Sequence, residues 1–173
     1  DIAVFHYRGY GPSSGKPSEQ ILYNDAKLIY DTLTSGLNPG RVVPIGFSIG
    51  SGVATWLAAN RDVDGLVLVT PFDSIQAVAA KKHRWAPVNQ LIKHRFRSDL
   101  HVKDLEIPIS VIRASHDRIV PGHHTDALVE QINRLAMDVT VPESTHGGIY
   151  DTDEIDQILL DAIDALAREK EAA

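Results

Sequence analysis

Short apolar segments alternate with longer amphipathic segments along the whole chain of 173 residues. The short segments are rich in β-branched or aromatic residues and have the length of buried strands in a parallel sheet. They cover residues 2–7, 41–47, 65–72, 107–114 and 138–142. The alternation predicts an α/β protein, a three-layer α/β/α sandwich with a mostly parallel sheet and helices on both faces.

The amphipathic segments predict the helices. The first should begin after the cap residue Ser18 and end at Gly36. Its apolar positions share one face and are Ile21, Leu22, Ala26, Ile29 and Leu33. Further helices are predicted over residues 49–60, over residues 125–135, where Leu135 ends the apolar repeat, and from Asp153 onward.

The segment 73–106 is longer than a simple connection and predicts a lid-like helical insertion. It mixes apolar and basic residues: Lys81, Lys82, Arg84, Trp85, Lys93, Arg95, Phe96 and Arg97. Such charges usually form a solvated face. The alternative is a lid that attracts anionic substrates.

Composition narrows the class of protein. Hydrophobic residues make up 43% and charged residues 23%, which is typical of a globular chain, and the length suits a single domain over residues 1–173. The net charge of −6 does not favour nucleic acid. The absence of cysteine excludes disulfides, thiolate metal sites and a cysteine nucleophile. No apolar run approaches the roughly 20 residues of a membrane helix.

The strongest motif is Gly46-Phe47-Ser48-Ile49-Gly50, between a predicted strand and a predicted helix. This is the context of a nucleophile elbow, whose serine hydroxyl stands clear of the sheet near a helix N-terminus. Small residues two positions before and after the serine let the chain pass closely. Because the motif is short, a glycine-rich turn without catalytic importance is an equal alternative on this pattern alone.

A serine nucleophile needs a base, and the base needs an orienting acid. Asp117 follows the predicted strand 107–114, and His146 follows the last predicted strand. Both lie at carboxyl ends of strands, where open α/β sheets place their ligands. The chain order Ser48, Asp117, His146 therefore predicts a catalytic triad. Asp73 is an alternative acid with a poorer loop context.

Most of the remaining histidines are expected to have structural roles. Those expected at the surface or in packing are His6, His83, His94 and His101. His116, His123 and His124 lie near Asp117 and raise the question of a metal site, but no regular helical spacing supports one. We expect no metal and no organic cofactor.

Several segments together resemble the α/β-hydrolase superfamily, most closely the Bem46-like and related bacterial serine hydrolases of esterase type. The matching segments are Tyr7-Arg8-Gly9-Tyr10-Gly11 with Ser14–Ser18, the elbow Gly46–Gly50, Thr70–Ser74, Asp117–Pro121 and His146. The resemblance spans essentially the whole chain and is specific for the superfamily. It is not specific for a substrate.

The resemblance also implies missing parts. Family members have about three strands and a helix before the segment where this chain starts. Their third strand carries a His-Gly motif of the oxyanion hole and lies between the strands that match residues 2–7 and 41–47. Here only one oxyanion donor, the backbone N–H of Ile49, carries over. We expect either a longer natural protein or direct pairing of those two strands.

The expected function is a serine hydrolase for an ester or related acyl bond in a small molecule, acting through an acyl-enzyme. Tyr7, Phe47 and Trp85 are predicted to line the substrate pocket. Two alternatives stay open, an amidase or peptidase of the same superfamily and a non-catalytic binding module. The expected location is cytoplasmic, while a homo-oligomer and membrane association through an upstream segment are left open.

Overall fold

A computed structural model describes residues 1–82, 85 and 87–171 of the chain. His83 and Arg84, which the sequence analysis assigned to the surface and to the basic insertion, lie outside the described residues. Contacts within the chain form two compact units, Asp1–Gly40 and Arg41–Ala173. The single domain over residues 1–173 stays a prediction.

The first unit contains one helix, α1 (Glu19–Leu37). Ser18 caps it as predicted, since its hydroxyl accepts a hydrogen bond from the Ile21 N–H. The helix does not end at Gly36. It ends at Leu37, and the cap residue Asn38 takes the left-handed conformation (φ 45°) and donates its N–H to the carbonyl of Thr34. Asparagine tolerates this conformation better than most residues, so it serves as the stop signal here.

The predicted strand over residues 2–7 is wrong. The described part of the first unit contains no strand, and Ile2 and Val4 are 92% and 88% exposed. A strand forms only where its backbone hydrogen-bonds to a neighbour, and apolar composition cannot supply that partner. Among the described residues, the sheet holds only strands of the second unit, so the alternative of direct pairing between residues 2–7 and residues 41–47 is wrong as well.

The second unit is built on four parallel strands in the order β1-β2-β3-β4. They are β1 (Ile45–Phe47), β2 (Leu66–Val69), β3 (Ile109–Ala114) and β4 (Leu135–Val141). The first three lie within predicted segments. The fourth begins earlier than predicted, because Leu135 pairs with Ile109 and does not continue a helix. The predicted helix over residues 125–135 is therefore wrong in its second half.

Helices follow each strand. They are α2 (Ile49–Ala58), α3 (Ile75–Lys82), α4 (Val88–Leu91), α5 (Ser98–Val102), α6 (Gly122–Val129) and α7 (Ile155–Glu171), with a 3-10 turn at Gly148–Asp151. The helices α3, α4 and α5 make up the predicted insertion. An isolated antiparallel β-bridge between Ser74 and Arg97 joins the beginning of this insertion to a later part of it.

The sheet has helices on both faces, which confirms the three-layer α/β fold. Val67, Val69 and Ile112 point to one face and form a fully buried core with Ala162 and Leu166 of α7. Strand residues alternate between faces. The opposite face therefore carries Gly46 and its register partner Leu68, and α2 covers it so closely that a Cβ on Gly46 would meet the Cβ of Ala54 at 2.8 Å.

Candidate active site

Ser48 stands at the sharp turn between β1 and α2. Its backbone has φ 50° and ψ −118°, a conformation that is strained for a residue with a side chain. The Ser48 N–H donates to the carbonyl of Val69 at the end of β2, which ties the turn to the carboxyl edge of the sheet. A Cβ on Gly46 would lie 2.5 Å from the Gly50 carbonyl oxygen, so the turn requires glycine there.

A neighbouring serine secures this turn. The backbone N–H and the hydroxyl of Ser51 both donate to the Ser48 carbonyl oxygen, at 2.9 and 2.6 Å. Ser51 is almost fully buried. This role of Ser51 was not predicted from the sequence, although a small polar residue three positions after the nucleophile could have indicated it.

Asp117 lies in the loop after β3 and is held from two sides. Its Oδ1 accepts hydrogen bonds from the N–H groups of Ile119 and Val120, at 2.9 and 2.8 Å. Its other oxygen, Oδ2, lies 2.7 Å from Nδ1 of His146. The side chain is 6% exposed. One oxygen is thus anchored by the backbone while the other faces the imidazole.

His146 lies in the loop after β4, next to the loop that carries Asp117. The two loops are joined by a hydrogen bond from the His116 N–H to the Ser144 carbonyl. Nε2 of His146 lies 2.7 Å from Oγ of Ser48. The structure therefore brings Ser48, Asp117 and His146 together in one chain of hydrogen bonds.

The direction of these hydrogen bonds follows from the chemistry of the groups. An ionised carboxylate can only accept, so Nδ1 of His146 carries the proton shared with Asp117. Nε2 then has a free lone pair and accepts the hydroxyl proton of Ser48. This arrangement can draw a proton from the serine hydroxyl and hold the resulting imidazolium beside a carboxylate.

The alternative acid, Asp73, contacts a different histidine. Its Oδ1 lies 2.9 Å from Nδ1 of His124 and accepts the N–H of Ser74 at 2.6 Å. His123, beside His124, contacts Nζ of Lys81 at 2.9 Å. Within residues 1–82, 85 and 87–171, no three histidine, aspartate or glutamate side chains cluster as metal ligands.

The predicted pocket residues have different surroundings within their own units. Phe47 contacts Tyr150 edge to face, with ring centroids 5.6 Å apart, and Trp85 is 87% exposed. Tyr7 belongs to the first unit, where it contacts Phe5 edge to face. Their role in substrate binding stays a prediction.

Tyr150 lies near the three predicted catalytic residues but was not predicted from the sequence. It lies four residues after His146, in the 3-10 turn. Burial raises the pKa of its hydroxyl, the nearby Thr70 side chain partly offsets this increase, and the negative charge of Asp117 adds to it. Tyr150 therefore stays a neutral phenol at ordinary pH, and its contact with Phe47 links the His146 loop to the strand that precedes Ser48.

The helices were compared with the length and hydrophobicity that a membrane-spanning helix needs. No helix in the described parts of the chain is both long and apolar enough to cross a membrane. The expected cytoplasmic location, the homo-oligomer and the absence of nucleic-acid partners stay predictions.

The sequence of this chain is similar to known protein sequences. The pattern of the α/β hydrolase fold family matches residues 1–100. Rv2307c from Mycobacterium tuberculosis, which has no characterised function, is 34% identical over 165 residues, covering 94% of this chain and 58% of that protein. Lysophosphatidylserine lipase ABHD12 from Danio rerio is 30% identical over 139 residues, covering 69% of this chain and 36% of the lipase. The chain thus spans at most about three-fifths of these relatives.

Solved structures share the fold at low sequence identity. A monoacylglycerol lipase from Paleococcus ferrophilus superposes with a TM-score of 0.63 at 15% identity, covering 94% of this chain and 81% of that one. An α/β hydrolase from Vibrio vulnificus gives a TM-score of 0.66 at 22% identity, covering 88% and 60%. These similarities concern the fold alone.

Proposed function

Because the chain belongs to the α/β hydrolase fold family, we propose that it is a serine hydrolase that cleaves an ester or related acyl bond. The observation that carries the proposal is the continuous set of hydrogen bonds from Ser48 Oγ through His146 to Asp117. A binding module has no need for a nucleophile, a base and an orienting acid in this order. A relative named as a lipase supports a hydrolase.

In the proposed acylation, Ser48 Oγ attacks the carbonyl carbon of the substrate while His146 Nε2 takes the hydroxyl proton. The tetrahedral intermediate then expels the leaving alcohol, which receives that proton from Nε2. Asp117 keeps the imidazole in the productive tautomer and stabilises its positive charge. Ser48 is left as an acyl ester.

In the proposed deacylation, water attacks the acyl ester and passes one proton to His146 Nε2. Collapse of the second tetrahedral intermediate returns that proton to Ser48 Oγ and releases the carboxylic acid. Ile49 opens α2, where backbone N–H groups have no acceptor within the helix, so its N–H is the oxyanion donor that we assign. The net reaction is ester plus water giving acid plus alcohol.

We extend the proposal to an acyl ester with an anionic group. Between residues 74 and 98 the chain has six lysine or arginine residues and no aspartate or glutamate, in a protein of net charge −6. A basic segment attracts negatively charged ligands. The relative ABHD12, named for a lysophosphatidylserine substrate, supports the same chemical class.

The test is labelling with a fluorophosphonate, an electrophile that reacts preferentially with activated serine hydroxyls. We expect one covalent adduct, mapped by mass spectrometry to Ser48 and absent from Ser48→Ala. Ser14→Ala is the matched control, because it removes an exposed serine hydroxyl outside the site. Absence of any adduct on folded protein, or an adduct that persists in Ser48→Ala, would contradict the proposal.

A further inference from the structure

A second aspartate–histidine pair, Asp73 with His124, lies outside the triad. Their side chains are 18% and 6% exposed, and Nδ1 of His124 donates to Oδ1 of Asp73 at 2.9 Å. The other ring nitrogen, Nε2, is buried and finds no hydrogen-bond partner among the described residues. Burying a polar atom without a partner is unfavourable, so packing alone does not account for a histidine here.

The pair joins the loop after β2 to the first turn of α6. A second hydrogen bond beside it makes the same connection, from the Thr125 hydroxyl to the Pro71 carbonyl at 2.8 Å. The loop is itself braced, because the Asp99 N–H donates to the Asp73 carbonyl at 3.0 Å. Two adjacent residues of α6, His124 and Thr125, thus bond to the loop after β2, and that loop has a further hydrogen bond of its own from Asp99.

The fastened turn is continuous with the donors that hold Asp117. Ile119 and Val120 supply the two N–H groups that bond to Oδ1 of Asp117, and α6 begins at Gly122. The His124 N–H donates to the Pro121 carbonyl, which closes the turn between them. Any displacement of the start of α6 therefore moves the donors that orient the carboxylate.

We propose that Asp73 and His124 form a positioning pair, which fixes the start of α6 and thereby aims the carboxylate of Asp117 at His146. The proposal rests on the proposed function, since Asp117 matters for turnover only if the triad is catalytic. Neither residue of the pair touches the reacting atoms. Their effect passes through the backbone N–H groups of Ile119 and Val120.

The test compares two substitutions of similar size at His124. Asparagine at this position places an amide N–H where Nδ1 of the ring lies, so His124→Asn keeps the bond to Asp73, whereas His124→Leu removes it. Asp64→Ala is the control, because it removes an ion pair with Lys170 at the opposite end of β2. Two experiments are made on each folded variant: steady-state kinetics give kcat and KM for an ester, and NMR gives the resonance of the proton on His146 Nδ1. That resonance is assigned by its loss in His146→Ala.

We expect His124→Leu to lower kcat about tenfold with little change in KM and to shift or broaden the His146 resonance, as for groups that orient a reactive residue indirectly. His124→Asn should have the kcat and the His146 resonance of the wild type, and Asp64→Ala should change neither of them. Unchanged kcat and resonance in His124→Leu, or equal losses in Asp64→Ala, would overturn the proposal. If the wild-type chain lacks turnover, the proposed function fails, and the resonance alone still decides whether His124 positions the Asp117–His146 bond.

Discussion

Oγ of Ser48 and Nε2 of His146 lie 2.7 Å apart although 98 positions separate the two residues in the chain. Ser48 is held by the turn that opens α2, and His146 by the loop after β4. Their contact therefore depends on the parallel sheet that carries both loops at one edge.

Asp117→Asn should lower kcat about 10³–10⁴-fold while KM changes little. An asparagine that keeps the two bonds from Ile119 and Val120 at Oδ1 presents its NH₂ group to His146. The imidazole must then accept at Nδ1 and carry its proton on Nε2, where it cannot take the proton of Ser48. Steady-state kinetics on a short-chain ester measure the loss. Asp73→Asn should retain far more activity, and equal losses in both variants would contradict the assignment of Asp117.

Ser51→Ala should reduce kcat by about tenfold without abolishing it. The variant removes the 2.6 Å hydrogen bond from the Ser51 hydroxyl to the Ser48 carbonyl but leaves the backbone bond between the same residues. The strained turn should then be less well defined. The rate of fluorophosphonate labelling at Ser48 measures this loosening. Ser110→Ala, which also removes a buried hydroxyl, is the control and should label at the wild-type rate.

Gly46→Ala should destabilise the protein by about 2–4 kcal/mol, or prevent folding, because the new methyl group meets backbone atoms at 2.5 and 2.6 Å. Gly36→Ala is the matched control. Gly36 lies inside α1, and a Cβ there would have no neighbour within 4 Å apart from the backbone of the helix itself. The substitution should therefore raise the free energy of unfolding by about 0.5–1 kcal/mol. Urea denaturation followed by circular dichroism gives both values. A Gly46→Ala protein as stable as the wild type would refute the close approach.

Asp64 should make the stability of the protein depend on pH at the acid end. Burial by itself raises its pKa, but the hydrogen bonds from Lys170 and the Val42 N–H outweigh burial and lower the pKa below 3.8. The folded state therefore holds this proton less tightly than the unfolded state, so Asp64 stabilises the fold above the unfolded pKa. That contribution is lost as pH falls through the folded pKa.

The measurement is the free energy of unfolding of wild type and Asp64→Asn between pH 2 and pH 7. The wild type should be more stable above about pH 4, by up to roughly 1 kcal/mol because the ion pair is near the surface. The difference should shrink toward zero at the acid end. A difference that stays constant across this range would show that the charge of Asp64 does not contribute.

The basic insertion should influence anionic substrates selectively. Lys93→Glu replaces an exposed cation with an anion, and it should lower kcat/KM for an acyl ester with an anionic group about threefold at low salt. An uncharged acyl ester should be unaffected. Lys27→Glu makes the same charge change at an exposed position of α1 and should have less effect. Equal effects of both substitutions would indicate general repulsion without a role for the insertion.

The elbow could be anticipated from local sequence because its constraints act over a few residues. Gly46, Ser48 and Ile49 lie within four positions of one strand–turn–helix unit, and the need for glycine arises mainly from backbone atoms of Gly50 and Ser51. Strand composition also predicted β1, β2 and β3, since buried strands leave a clear apolar signal. The position of the acid and base loops at one edge followed from the parallel sheet.

Other features depended on partners that a local pattern does not contain. Residues 2–7 have the composition of a strand but form none, because pairing requires a neighbouring backbone. Leu135 fits a helical repeat yet begins β4, where pairing with β3 overrides the local preference. Asp73 and Asp117 are both aspartates after strands. Loop context favoured Asp117 as the partner of His146, but only packing in three dimensions shows that Asp73 meets His124. Sequence thus settled what is decided by near neighbours along the chain, and tertiary structure settled which distant groups meet, because hydrogen bonds form between atoms that are close in space.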